Sequence, residues 1–97
     1  MKTHIDNAIP TDDILFYTPT TVKLLIDLAT SNGTTPAQLS LCSEIAPTVV
    51  SEELEKMVEK GLVEKYEEDK IDNPFFVFHS LTPDGYRKAK SLKTLLE

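Results

Sequence analysis

Apolar residues recur at helical spacing in four stretches of the chain, and two short runs between the last of these read as strands. Val50, Leu54, Met57 and Val58 fall at i, i+4, i+7 and i+8, one face of a 3.6-residue helix. Pro47 opens that helix, where its missing N–H would lack an intrahelical partner in any case. Gly61 stands where the chain must leave the helix with φ > 0, and Leu62, Val63 and Tyr66 continue as a strand. Upstream, Val22, Leu25, Ile26, Leu28 and Ala29 predict a helix over 20–32, capped by Thr20 or Thr21 and ended by Ser31-Asn32-Gly33. Thr35 caps a second helix with Pro36 in its first turn, and Leu39, Cys42 and Ile45 recur there every third residue.

Downstream, Asn73-Pro74 reads as a turn and Phe75–Leu81 as a second strand. Alternation sets Phe76, Phe78 and Ser80 on one of its faces and Phe75, Val77, His79 and Leu81 on the other. Both faces are largely apolar, so one packs on the core while the other meets a further surface. Thr82 caps a last helix with Pro83 and Asp84 in its first turn and the stripe Tyr86, Ala89, Leu92, Leu96. The order helix, helix, helix, strand, loop, strand, helix predicts an α+β domain: a three-helix core, a β-hairpin and a C-terminal helix.

Three motifs in this order carry a resemblance. Leu54, Met57, Gly61, Leu62 and Val63 form a Leu-x-x-Leu-x-x-x-Gly-Leu-Val-like run, Leu81, Thr82 and Gly85 a Leu-Thr-x-x-Gly run, and Thr35-Pro36-Ala37-Gln38-Leu39 a helix opening. Over roughly residues 20–92 the chain resembles winged helix-turn-helix transcription regulators of the MarR/PadR-like type. The resemblance implies an N-terminal arm at 1–19 and a winged-helix domain at 20–97 with a dimerisation helix at 83–97. It further implies a homodimer that binds double-stranded DNA, with the third helix in the major groove. Thr48, Ser51, Glu52 and Lys56 are then the base-proximal positions, and Lys60, Lys70, Arg87, Lys88 and Lys90 lie near phosphate.

The sequence departs from that pattern at three places. The turn before the third helix has Ser43 and Glu44 where a core aliphatic and a glycine are common, which predicts a longer or differently shaped turn. Glu52 occupies a position often held by a basic residue, and it is four residues before Lys56, the favourable order for an ion pair. The hairpin tip, residues 67–74, carries four acids and one lysine.

Charge sharpens the contrast. The 97 residues contain 16 acidic and 10 basic side chains, a net −6, whereas duplex binding draws much of its affinity from phosphate neutralisation. The one basic concentration is Arg87, Lys88, Lys90 and Lys93, net +3 over 87–97 with Glu97 counted. Cations near a helix C-terminus also have a purely structural use. Two functions therefore stand side by side: a DNA-binding regulator, and an acidic winged helix that contacts proteins and not DNA.

Composition narrows the rest. Hydrophobic content of 40% and charged content of 27% fit one globular domain. No apolar run approaches a membrane span, and the N-terminus has no signal-peptide pattern. A single Cys42 cannot form an internal disulfide, and the expected location is the cytoplasm. Two histidines, one cysteine and three glycines give neither zinc spacing, nor a phosphate loop, nor a nucleophile elbow. Neither an enzyme nor a cofactor is expected. His79 reads as a strand residue.

Overall fold

Thr18, and not Thr20 or Thr21, caps the first helix, because Pro19 follows it and takes the first helical position. A computed structural model of the chain describes residues 16–67 and 72–96, with the backbone alone for Leu96. Helix α1 is Pro19–Ser31, and Thr18 Oγ1 accepts the Thr21 amide at 3.2 Å. Helices α2 (Pro36–Ser43), α3 (Pro47–Glu59) and α4 (Pro83–Leu96) follow, with strands β1 (Val63–Tyr66) and β2 (Phe78–Leu81) between α3 and α4. Each of these four helices begins at a proline, where the ring fixes φ and no hydrogen bond is forfeited.

The core is one cluster. Leu24, Leu25 and Leu28 of α1 meet Leu39 of α2, Val50, Leu54 and Met57 of α3, then Leu62, Val63, Leu81 and Ala89. In α1 the buried stripe is Thr21, Leu24, Leu25 and Leu28. The broad apolar face expected there is therefore rotated: Val22, Ile26 and Ala29 are only half-buried. In α2 the expected Cys42 is exposed, and Ser40 and Ser43 are buried in its place. Four-residue steps from Pro36 and Leu39 run to Ser40 and Ser43, which carry the inward side. Their hydroxyls are satisfied: Ser40 donates to the Ile45 carbonyl at 2.5 Å and Ser43 to Asp27 Oδ2 of α1 at 2.7 Å.

The turn into α3 is short, contrary to expectation. Only Glu44, Ile45 and Ala46 separate the two helices. Glu44 itself takes the left-handed conformation, φ 58 and ψ 43, which a glycine would adopt without the Cβ penalty. At the other end of α3, Gly61 has φ +77, and the Leu62 amide bonds back to the Met57 carbonyl at 2.9 Å.

β1 and β2 are antiparallel, with Val63 opposite Leu81 and Tyr66 opposite Phe78. The second strand begins later than the aromatic run suggested. Residues Pro74–Phe76 form a 3-10 turn, because Pro74 has no N–H for a ladder and Asn73 Oδ1 takes the Phe75 amide at 2.9 Å. Phe75 and Phe76 therefore stand outside the strand. From Phe78 on, the alternation holds: Phe78 is exposed, His79 and Leu81 buried. A single bridge adds the α1–α2 connection to this sheet, with reciprocal backbone bonds of 2.8 and 2.7 Å between Thr34 and His79.

Thr82 joins hairpin to α4. Its hydroxyl accepts the Gly85 amide at 3.0 Å and donates to the Gly61 carbonyl at 2.7 Å, while its amide bonds the Leu62 carbonyl at 2.9 Å. The first turn of α4 thus presses against the start of β1, and a Cβ on Gly85 would collide with the Leu62 carbonyl oxygen.

Candidate nucleic-acid interface

Helix α3 lies on the body through Val50, Leu54 and Met57, which turns the opposite side outward. Thr48, Glu52, Glu55, Lys56 and Glu59 are exposed and Ser51 is half-buried. The four positions expected near bases, Thr48, Ser51, Glu52 and Lys56, therefore share one outward face. Their spacing along the helix covers about 12 Å at 1.5 Å per residue, a length that suits a groove.

The ion pairing on this face differs from the sequence reading. Lys56 turns to Glu53 at 3.3 Å, not to Glu52. Glu53 is the better anchor because it is already held: its side chain is only 13% exposed, and Thr21 Oγ1 of α1 donates to its Oε1 at 2.6 Å. Thr21 in turn lies 2.9 Å from the Thr18 hydroxyl. Among the described residues Glu52 has no ion-pair partner. A second clip joins α3 to the hairpin, where Lys65 Nζ sits 3.1 Å from Glu55 Oε2. The Glu55 carboxylate that accepts this bond pushes the Lys65 ammonium above its ordinary value. Lys56 on this face and Lys65 beside it are thus both paired with carboxylates of α3.

The remaining cations lie elsewhere. Lys60, twelve residues after Thr48, is about 18 Å further along the same helix axis. Its ammonium is 5.4 Å from the Phe16 ring centre, and that of Lys88 is 5.3 Å from the Tyr17 ring centre. Those two rings meet edge to face at 4.9 Å, so Phe16 and Tyr17 gather both lysines at the entry to α1. Arg87 pairs with Asp84 within α4, and Lys90 is exposed on the same helix. Lys70 lies outside the described residues. Among the described residues the expected set is thus one face of α3, plus a separate group made of Lys60 at the end of α3 and the cations of α4, which packs on α1 and β2.

Three features of this arrangement were not read from the sequence: the Thr21–Glu53 bond, the Glu55–Lys65 clip and the Thr34–His79 bridge. The first had a signal, since Glu53 follows Val50 by three residues and so flanks the buried side of α3. His79 is buried, and its Nδ1–H donates to the Val77 carbonyl at 2.7 Å. Burial pushes its pKa below the ordinary value, with the Val77 bond opposing.

Two shallow apolar grooves flank α1. One, of about 410 Å³, runs between α1 and α4 beside Ile26, Ala29, Tyr86, Ala89, Lys90 and Lys93. The other, of about 490 Å³, passes Tyr17, Pro19, Val22 and Ile26. They share Ile26. Among the described residues no helix is long and apolar enough to cross a membrane.

No protein-family model matches the sequence, and no curated protein matches it. Solved structures do match. A mutant of MarR from E. coli complexed with operator DNA superposes with a TM-score of 0.69 at 21% identity, covering 87% of this chain and 59% of that one. A mutant of ZitR from Lactococcus lactis gives a TM-score of 0.66 at 27% identity, covering 80% and 51%. A MarR family regulator from Neisseria meningitidis gives 0.68 at 22% identity, covering 78% and 52%. The chain spans between half and three-fifths of the length of these solved chains. Its fold is the winged helix of MarR-type regulators, with β1 and β2 as the wing.

Proposed function

We propose that this chain is a duplex-DNA-binding winged-helix transcriptional regulator that acts as a homodimer in the cytoplasm, without catalytic activity. The supporting observation is the likeness to MarR complexed with operator DNA over 87% of this chain, together with the outward face of α3, exposed among the described residues. In this reading α3 enters the major groove. Thr48 and Ser51 offer hydroxyls to base edges, and Lys56 reaches a guanine or a phosphate. Glu52 accepts from a cytosine N4 amino group, the one major-groove role in which a carboxylate is favoured. Lys60, Lys70, Arg87, Lys88 and Lys90 serve phosphates, and 83–97 serves dimerisation. The grooves meeting at Ile26 and the exposed Leu95, 78% accessible, supply apolar surface for a second subunit.

With a net charge of −6, attraction to phosphate falls to the local cations of α3 and α4 and not to the overall field of the molecule. The test is a fluorescence-anisotropy titration with random-sequence duplex at low and then physiological salt. Binding with a Kd of about 10⁻⁴–10⁻⁶ M that weakens steeply with salt supports the proposal. Absence of binding at low salt argues against it. Sedimentation equilibrium reads the dimer separately.

A further inference from the structure

The outward face of the wing carries exposed aromatic rings beside carboxylates, and the duplex-binding proposal draws on Lys70 alone in the hairpin. On the β1–β2 ladder, the pairs Val63–Leu81 and Lys65–His79 face inward, and Glu64–Ser80 and Tyr66–Phe78 face outward. Tyr66 is 48% and Phe78 42% accessible, with ring centres 5.8 Å apart. The Tyr66 hydroxyl donates to Glu64 Oε2 at 3.1 Å and lies 3.3 Å from Ser80 Oγ, which fixes the ring beside the carboxylate. Phe76, two residues before Phe78, is 57% accessible.

Charge decides what this face suits. Residues 64–72 hold five acids and two lysines, a net −3, and one of those lysines, Lys65, is bonded to Glu55. Glu64, Glu67 and Asp72 are exposed. Beside Glu64, Tyr66 and Phe78 a phosphate backbone is repelled. A cation is attracted three ways: by the π faces of Tyr66 and Phe78, by the Glu64 carboxylate, and by the field of the hairpin.

We infer that the outward wing face docks a basic segment of another protein, seating an arginine or lysine side chain against Tyr66, Phe78 and Glu64. This goes beyond DNA recognition by α3 and stands independently of it, since it uses a different surface and a ligand of opposite charge. The arginine stacks on the rings and hydrogen-bonds Glu64, while neighbouring apolar side chains of the segment cover Phe76.

The probe is a labelled peptide of alternating glycine and arginine, titrated into the full ¹⁵N-labelled chain. Amide shifts confined to 63–66 and 76–80 are expected. Tyr66→Leu keeps apolar bulk but removes the π face, and should weaken binding about two- to five-fold, the range for an exposed cation–π contact. Glu64→Gln should weaken it more than Glu59→Gln, which removes the same charge from α3. Shifts centred on α3 or α4 would overturn the inference. So would equal losses for Glu64→Gln and Glu59→Gln, which signify diffuse attraction to an acidic molecule. Wing shifts that follow protein concentration without peptide assign the face to a second copy of this chain and also overturn it. If duplex DNA moves these wing amides and the peptide does not, the face belongs to DNA and the inference fails.

Discussion

Replacing Thr21 by valine removes one oxygen from the point where α1 holds α3. The side chain is fully buried, and its hydroxyl donates at 2.6 Å to a Glu53 carboxylate that is 13% exposed. A hydrogen bond to a charged group contributes about 1.5–3 kcal/mol net. Here Lys56 remains beside Glu53 at 3.3 Å, so the carboxylate keeps one partner and the lower half of that range applies. Thr21→Val should cost about 1.5–2 kcal/mol, or roughly 6–16 °C in Tm for a domain of this size. Urea unfolding followed by circular dichroism measures it, with an unchanged m-value showing that only stability has moved. The cycle with Glu53→Ala isolates the pair, with an expected coupling of about 1 kcal/mol or more. A loss below about 0.5 kcal/mol, or strict additivity in the cycle, would refute the idea that this bond anchors α3. Because it orients α3, the valine variant should also shift amides across 47–56.

Further outcomes follow from the same geometry. Glu44→Gly relieves a left-handed residue at a cost of about 1–2 kcal/mol but adds unfolded-chain entropy, so it should stabilise by roughly 0.5–1 kcal/mol; a lower urea midpoint would contradict this. His79 has a depressed native pKa, so the unfolded state binds more protons below the ordinary value near 6.5. Stability should therefore be complete above that pH and decline as pH falls from it toward the depressed value. His79→Asn, which keeps a donor for the Val77 carbonyl, should flatten that limb of the curve while lowering stability throughout. Glu52→Lys should steepen the plot of log K against log salt for duplex binding by about 0.9 if its side chain reaches phosphate, and superimposable plots would place residue 52 away from the backbone.

The hydrophobic period of α3, the glycine after it and the Thr82 cap were all legible because each is a local rule that the tertiary structure leaves intact. Where tertiary partners decide, the pattern misled. Cys42 and Ser43 are neighbours of similar size, and the apolar one faces water. Ser43 goes inward because Asp27 on α1 accepts its hydroxyl, a partner sixteen residues away that no local period reveals. Lys56 choosing Glu53 over Glu52 has the same origin, since Thr21 positions one carboxylate and nothing among the described residues positions the other. Phe75 and Phe76 looked like strand by propensity, yet Pro74 and the Asn73 side chain removed them from the ladder. The face of α3 could be read from its spacing; the internal use of Lys56 and Lys65 could not, because it depends on which helix lies beside which.

The Thr34–His79 bridge sets how the molecule opens. Its two amides belong to a connection and a strand otherwise far apart in the chain, and each is closed by the other residue's carbonyl. Neither can exchange its proton for deuterium unless the α1–α2 connection parts from the base of the wing. That parting would strip the buried imidazole of its surroundings, so these two amides should report the slowest, whole-domain opening. The paired strands of the hairpin are thus rooted in the helical body and open with it as one cooperative unit.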